Sequence, residues 1–469
     1  MSKPADADPR QFLDTPLVAA ACQLDRLAVI GGSRDWTWRD VHAAALTLSS
    51  RLGSNSTLCN LCNSRVGFLV TWLAAWRGRC VQLLPPSGGN ADLSAILDSS
   101  TNPVVVVDDP RDLSRQWPAQ TRCLLNVPEP ASSGIPNAEL AWSPDWHAPL
   151  VHLFTSGSTG APESHTRTLA QLAQGAKVLG LRLEEEVDGG LAALRQLICS
   201  VPPQHMFGVE ASVMLSLVHG MPALERRPLL PADVSAAFQR CAAGTAWIAT
   251  PLHLRALVQS SEVVPHCGAV IASTMPLSQA LAAQAETLAS APVLEIYGST
   301  ETGAVAMRRT ARSAKWRPLP GVRVEPTENG TRVWGTHFLS PQVLADQTEP
   351  DGCGGFNLLG RQSDMIKIAG RRASLGSLNL LLQDLPGLAD GVFHLPHSGA
   401  ATERLVLIYS GAPLDRASTV AWLRERMDPV FLPRSLICVE RLPRTDSGKL
   451  PQAALDAVVA TWLASKSAQ

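Results

Sequence analysis

Short β-branched runs ending in acid alternate along this chain with alanine- and leucine-rich stretches. Val104 to Asp109, VVVVDD, predicts a buried strand whose carboxyl end opens into a loop. Trp38 to Leu52 and Leu277 to Leu288 have helical spacing, and Thr37 stands where an N-cap would enter the first of them. Strand and helix alternate, which predicts α/β architecture with parallel sheets. No fixed-period repeat and no low-complexity tract interrupts the pattern. After about Pro341 the character changes. The polar, glycine-rich stretch Asp346 to Gly355, DQTEPDGCGG, predicts a turn or loop leading into a final region that begins near Gly360. That region is long enough for a small domain of roughly 100 residues. The expected division is a large domain over 1–362 and a small one over 363–469.

Composition narrows the class. A chain of 469 residues suits two or three domains. With 45% apolar and 17% charged residues, and 34 Gly and 35 Pro spread throughout, it is neither disordered, collagenous nor coiled-coil. Forty Lys plus Arg against 41 Asp plus Glu leave a net charge of -1, so nothing advertises nucleic acid or an anionic membrane, and a small-molecule partner is expected. The apolar stretch Phe68 to Trp76 stops at Arg77, far short of the ~20 residues a membrane span needs. The opening MSKPADADPRQF alternates Pro with charge instead of forming a secretory apolar region, and a cytoplasmic protein is expected. Ten scattered cysteines fit reduced, buried thiols. Cys59 and Cys62 form a CxxC with no second pair or nearby His, so core thiols are favoured over zinc.

The sharpest local signal is Phe154-Thr155-Ser156-Gly157-Ser158-Thr159-Gly160, directly after the apolar run Leu150 to Phe154. Hydroxyls and unobstructed backbone N–H groups in such a loop make a nest for phosphate oxygens, because glycine permits positive φ and close approach. It is not a Walker loop, since no Gly-Lys-Ser/Thr follows. Three further blocks follow in order: Glu295-Ile296-Tyr297-Gly298-Ser299-Thr300-Glu301-Thr302-Gly303, then Gly360-Arg361-Gln362-Ser363-Asp364-Met365-Ile366-Lys367-Ile368-Ala369-Gly370, then Pro443-Arg444-Thr445-Asp446-Ser447-Gly448-Lys449. Together the four blocks resemble the adenylate-forming superfamily of acyl- and aryl-CoA synthetases, adenylation domains and luciferases. The resemblance runs from about Leu153 to Leu450.

That resemblance implies a fold and a set of roles. The fold would be a large N-terminal domain with parallel-rich sheets flanked by helices, plus a small mobile α+β C-terminal domain. Thr155, Ser156, Gly157, Ser158, Thr159 and Gly160 would hold the β- and γ-phosphates of ATP. Tyr297, beside Gly298, would stack on adenine, with Thr274 and Met275 of the Ser273–Pro276 segment bordering it. Thr300 would bond the α-phosphate and Glu301 would coordinate Mg²⁺. Asp346, 14 residues before Gly360, would bind both ribose hydroxyls with help from Arg361. Lys449 would bridge substrate carboxylate and α-phosphate, and Ser363 would be the hinge. The chemistry needs such groups: a carboxylate attacking phosphorus must overcome repulsion between anions, so cations have to be aimed at the growing charge.

The chain also departs from the family pattern. Pro162-Glu163 stands where Pro-Lys is usual, so either Glu163 points away or a cation such as Arg167 compensates. Ser374, Ser377 and Asn379 replace acids, while Arg372 is retained. His205 matches a residue that gates the acyl pocket. Amino-acid adenylation domains place an Asp nearby; between Val201 and Glu210 the only acid is Glu210, which favours a simple carboxylic acid. The short N-terminus and divergent blocks are similar to aromatic-acid ligases beside aryl-polyene and xanthomonadin-type pigment pathways. The implied function is ATP-dependent activation of an organic acid, an aromatic one such as a hydroxybenzoate, and its transfer to a phosphopantetheine thiol of an acyl carrier protein or CoA. Two alternatives stand beside it: a catalytically silent nucleotide-binding homologue, and a stand-alone amino-acid adenylation enzyme.

Overall fold

The computed structural model describes residues 24–53, 56–85, 90–109, 111, 123–129, 145–156, 162–361, 364–388, 390–396, 404–443 and 450–467. By contacts, the chain falls into two compact units. One comprises 1–275, 282–323 and 333–342, the other 276–281, 324–332 and 343–469.

In the first unit, strands that are mostly buried pair in parallel and are covered by helices. A nine-stranded sheet runs, in spatial order, Arg317–Pro318, Gly303–Arg309, Val293–Ser299, Cys267–Ala272, Thr245–Ala249, Gln196–Cys199, Ala223–Leu224, Leu27–Ile30 and Trp36–Thr37. From Leu27–Ile30 to Val293–Ser299 every pairing is parallel, and the chain reverses only at the margins. Thr245–Ala249 and Gln196–Cys199 are buried at every position, as sheets covered on both faces require. A six-stranded sheet follows the order Cys123–Asn126, Pro103–Val107, Thr57–Asn60, Gln82–Leu84, Pro149–Ser156 and Pro162–Thr168. The valine run is its fully buried strand Pro103–Val107, as expected.

The helix Trp38–Ser49 starts where Thr37 predicted. Its hydroxyl accepts from Asp40 N–H while the Asp40 carboxylate accepts from Thr37 N–H, a reciprocal cap. The Phe68–Trp76 stretch lies in the helix Arg65–Gly78, buried from Arg65 to Trp76 and packed on the first helix, with Phe68 and Trp72 ring centroids 5.7 Å apart. No helix among the described residues is long and apolar enough to cross a membrane. Cys59 and Cys62 are fully buried free thiols; burial pushes Cys59 up to about 12, which leaves it an inert part of the core.

The second unit is a smaller α+β assembly. Met365–Ile368 and Arg371–Ser374 form a hairpin closed by Ala369 and Gly370, both at positive φ (47° and 82°), the conformation a two-residue turn demands. A three-stranded sheet of Asp390–His394, Val406–Ser410 and Ser435–Val439 separates two apolar layers: Phe393, Leu407 and Tyr409 on one side, Val392, Val406 and Ile408 on the other. The stretch read as a loop, 346–355, is a loop only in its second half. Asp346–Pro350 is a strand paired antiparallel with Phe356–Arg361, because Thr348 alternates inward between polar neighbours and the glycines are confined to the turn.

Candidate active site

The strand Val293–Ser299 ends in a turn, and Gly303–Arg309 returns antiparallel beside it. Thr300, Glu301 and Thr302 form that turn. A bulge after Tyr297 lets the two backbones close tightly: a Cβ on Gly298 would lie 2.0 Å from Gly303 O. Thr302 Oγ1 accepts from Ser299 N–H at 3.1 Å and donates to Gly303 O at 2.8 Å, cinching the turn from inside.

Three side chains distant in sequence hold it from outside. Arg167 Nη2 donates to Thr300 O at 2.8 Å. Ala304 N–H donates to Glu210 Oε2 at 2.9 Å. His337 Nε2 donates to Ala304 O at 2.9 Å. All three are buried. Burial raises Glu210 to about 7 despite Arg167 and the Ala304 amide, and burial takes His337 down to about 4, keeping it neutral. Glu301 behaves oppositely. Burial would raise it, but the Ser299 hydroxyl, a backbone amide and the charges of His165 and Arg167 together hold it below the usual carboxylate range, so it is an anion at neutral pH. His165 Nε2 stands 3.8 Å from Glu301 Oε1.

Glu163, His165 and Arg167 follow one another at every second position on Pro162–Thr168 and line, with Glu301, Phe338 and Ser340, a cleft of about 400 Å³. Arg167 is turned toward Thr300, and Glu163 is exposed.

Tyr297 packs against Trp316, ring centroids 5.5 Å apart at 52°. Trp316 is in turn covered by Arg308 at 4.2 Å, and Arg308 pairs with the buried Glu295 at 2.7 Å. This stack restrains the Tyr297 ring. Ser273 Oγ donates to Ile296 O at 3.0 Å and ties the Thr274–Met275 segment to the same strand. Thr274 holds φ at 82°, a strained value for a β-branched residue, and both Thr274 and Met275 are exposed.

His205 stands at the N-terminus of the short helix Met206–Gly208, which continues as a π-helical turn, Val209–Met214. Its ring reaches solvent yet lies among enough protein that desolvation, then the nearby Arg227, lowers its pKa.

In the second unit, Asp346 and Arg361 stand directly opposite each other across their strand pair, Oδ1 to Nε 3.4 Å, with Asp346 the more sheltered. Thr331 Oγ1 donates to Asp346 O at 2.6 Å. Ser374 caps the helix Leu375–Leu382 through Ser377 N–H, and Asn379 Oδ1 accepts from Phe393 N–H at 2.6 Å, so both side chains have structural work in this chain. Thr155 and Ser156 end the strand Pro149–Ser156, while Gly157, Ser158, Thr159, Gly160, Ser363 and Lys449 lie outside the described residues.

The support of Thr300–Ala304 by Arg167, Glu210 and His337 was not legible in advance. The one available signal was a lone acid inside the apolar run Val209–Met214, where an uncompensated charge would be costly.

The AMP-binding enzyme family matches residues 18–334. A 4-coumarate–CoA ligase of Cereibacter sphaeroides is 26% identical over 303 residues, 63% of this chain and 69% of its own length. One from Halorhodospira halophila is 26% identical over 325 residues, covering 67% and 78%. In fold, the chain is similar to the anthranilate CoA ligase AuaEII in complex with anthranoyl-AMP, with a TM-score of 0.82 at 13% identity over 97% of this chain and 100% of that one. ATP-bound MatB from Rhodopseudomonas palustris gives 0.77 at 18% identity, covering 96% and 97%.

Proposed function

The chain belongs to the AMP-binding enzyme family, and from that premise we propose that it is an acid–thiol ligase that adenylates an aromatic acid such as a hydroxybenzoate and passes the acyl group to a pantetheine thiol. The observation that carries this reading is the Thr300–Glu301 turn, which presents an ionised carboxylate at a cleft and is fixed by buried groups behind it. The names of the two 4-coumarate–CoA ligases support an aromatic acid and CoA. A carrier protein is the second reading, favoured by the absence of a dense basic patch in the sequence beyond Arg371 and Arg372.

In the first half-reaction a carboxylate oxygen forms a bond to the α-phosphorus of ATP as the bond to pyrophosphate breaks. By the family resemblance, Tyr297 and Thr274–Met275 would hold adenine, Asp346 and Arg361 the ribose, and Thr300 the α-phosphate, which would lower the entropic cost of the encounter. Glu301 fits a hard cation: one ionised, accessible carboxylate completed by substrate phosphates and water is how Mg²⁺ is commonly held. When bound, Mg²⁺ would neutralise phosphate charge. Lys449 would place its ammonium between the acid and the α-phosphate, and the Thr155–Gly160 loop would hold the leaving pyrophosphate. In the second half-reaction a thiolate sulfur bonds the acyl carbon and AMP leaves; motion of the small domain about Ser363 would bring the thiol in.

A panel of aromatic, fatty and amino acids should show pyrophosphate release with aromatic acids, at least 100-fold lower in a Lys449→Ala variant. Mass spectrometry of thioesters formed with CoA and with carrier protein in parallel names the acceptor. Release with no acid would favour the silent homologue, and release with amino acids alone the amino-acid enzyme.

A further inference from the structure

Glu210 is a buried acid that the reaction as drawn leaves unused. It sits in the π-helical turn Val209–Met214, five residues after His205. A π-turn accommodates an extra residue and changes which side chains face inward; such turns recur where a helix serves a site. Here Glu210 faces the start of the strand Gly303–Arg309. Two glycines make room for it. A Cβ on Gly303 would lie 2.2 Å from Glu210 Oε1, and one on Gly175 would lie 3.0 Å from the same atom. Gly303 also holds φ at 70°, so it meets two demands at once.

We propose that Glu210 is a positioning residue, a buried tie between the segment that begins at His205 and the Thr300–Ala304 turn, so that the acyl-pocket helix and the nucleotide turn move as one body. This rests on the ligase reading. The tie is a single hydrogen bond, Ala304 N–H to Glu210 Oε2, in a setting dry enough to make it directional. Arg167 and His337 complete the grip on Thr300 O and Ala304 O. Losing Glu210 leaves Ala304 N–H buried and unpaired, and the turn is then free to rotate Thr300 and Glu301 away from the α-phosphate. Substrate affinity at the acyl pocket is made by other contacts and stays.

Two variants of nearly equal volume separate this from a packing role. Glu210→Gln keeps an oxygen acceptor for Ala304 N–H; Glu210→Met fills the same space without one. Their kcat and acid KM for pyrophosphate release are measured beside wild type, with AMP affinity by calorimetry. In the Met variant kcat falls about 30-fold with acid KM within about threefold, and AMP binds roughly tenfold more weakly, while the Gln variant stays within about threefold of wild type. A folded Met variant with wild-type kcat and AMP affinity overturns the proposal, as does a Gln variant impaired as much as Met. Wild type that releases no pyrophosphate with any acid sinks the ligase reading instead. The AMP titrations still decide Glu210: weaker binding in Met than in Gln supports the tie, and equal binding overturns it.

Discussion

The Thr300–Ala304 turn and the Asp346–Arg361 pair each offer a carboxylate, but they are held by opposite means. The turn is gripped by Arg167, Glu210 and His337, all buried and far away in sequence. The pair owes its arrangement chiefly to strand register: Asp346 faces Arg361 because the antiparallel strands put them opposite, the Thr331 hydroxyl ties the Asp346 carbonyl, and Arg361 is 62% exposed. Burial makes an arrangement stiff but fragile, since any lost partner strands a polar group in a dry place. Register makes one tolerant, because the backbone persists when a side chain changes.

The largest effect is expected where backbone meets backbone. Gly298→Ala puts a methyl 2.0 Å from Gly303 O, a contact no side-chain rotation can relieve. The turn has to open, and we expect pyrophosphate release to fall about 100-fold or more, with a loss of roughly 1–3 kcal/mol in stability. A variant within about threefold of wild-type turnover would show that the tight closure is incidental.

Next in size is a pH effect confined to the gripped turn. Glu210 holds its proton to about 7 in the folded protein against 4.5 as an ordinary carboxyl, with Arg167 and His337 the ionisable groups acting with it on the turn. Between those values the folded state binds more protons than the unfolded one, so this group's contribution to stability falls as pH rises. Glu210→Gln removes that loss. Its stability relative to wild type should improve by on the order of 2–3 kcal/mol from pH 5 to pH 8. Denaturant unfolding at several pH values measures it; a difference that does not change with pH would mean the carboxyl is not desolvated. His337 works the other way, its neutral form favouring the fold above 6.5 and the benefit fading as pH drops toward about 4.

How much of this the sequence disclosed follows the same divide. Contiguous patterns were readable: the valine strand, the Thr37 cap, the buried helix around Trp72 and the order of motif blocks each depend on neighbours along the chain. Asp346 was singled out only through the resemblance of its spacing, and the polar composition of Asp346–Pro350 concealed that it lies on a strand opposite Arg361. What stayed hidden needs contacts between residues 94 or 133 positions apart, Glu210 to Ala304 and Arg167 to Thr300. Arg167 was noticed as a counter-charge for Glu163, but its guanidinium goes to a backbone carbonyl instead. No local pattern encodes that, since Pro162–Thr168 and the turn belong to different sheets and meet only in the folded unit.

The register-held pair yields the smaller effects. Asp346→Asn keeps one oxygen acceptor and loses the charge and one acceptor, so we expect KM for ATP to rise roughly tenfold with kcat within about threefold. A fall in kcat alone would place Asp346 nearer the reacting phosphorus than the ribose.

Arg361→Gln is expected to do least. At 3.4 Å and 62% exposure its pairing with Asp346 is worth roughly 0.2–1 kcal/mol, because water screens both charges and the long side chain loses freedom in pairing. The strand pair does not depend on it: Gln347, Thr348, Glu349 and Pro350 remain opposite Gly360, Leu358, Asn357 and Phe356. Asp346 keeps its backbone tie through Thr331 Oγ1. KM for ATP should therefore rise only about two- to threefold, and raising ionic strength should narrow even that gap, since salt weakens the wild-type pair and leaves the variant nothing to lose. If Arg361→Gln instead lowered kcat as severely as Gly298→Ala, an exposed, register-held residue would be as critical as a buried, gripped turn, and burial would no longer explain the contrast between the two regions.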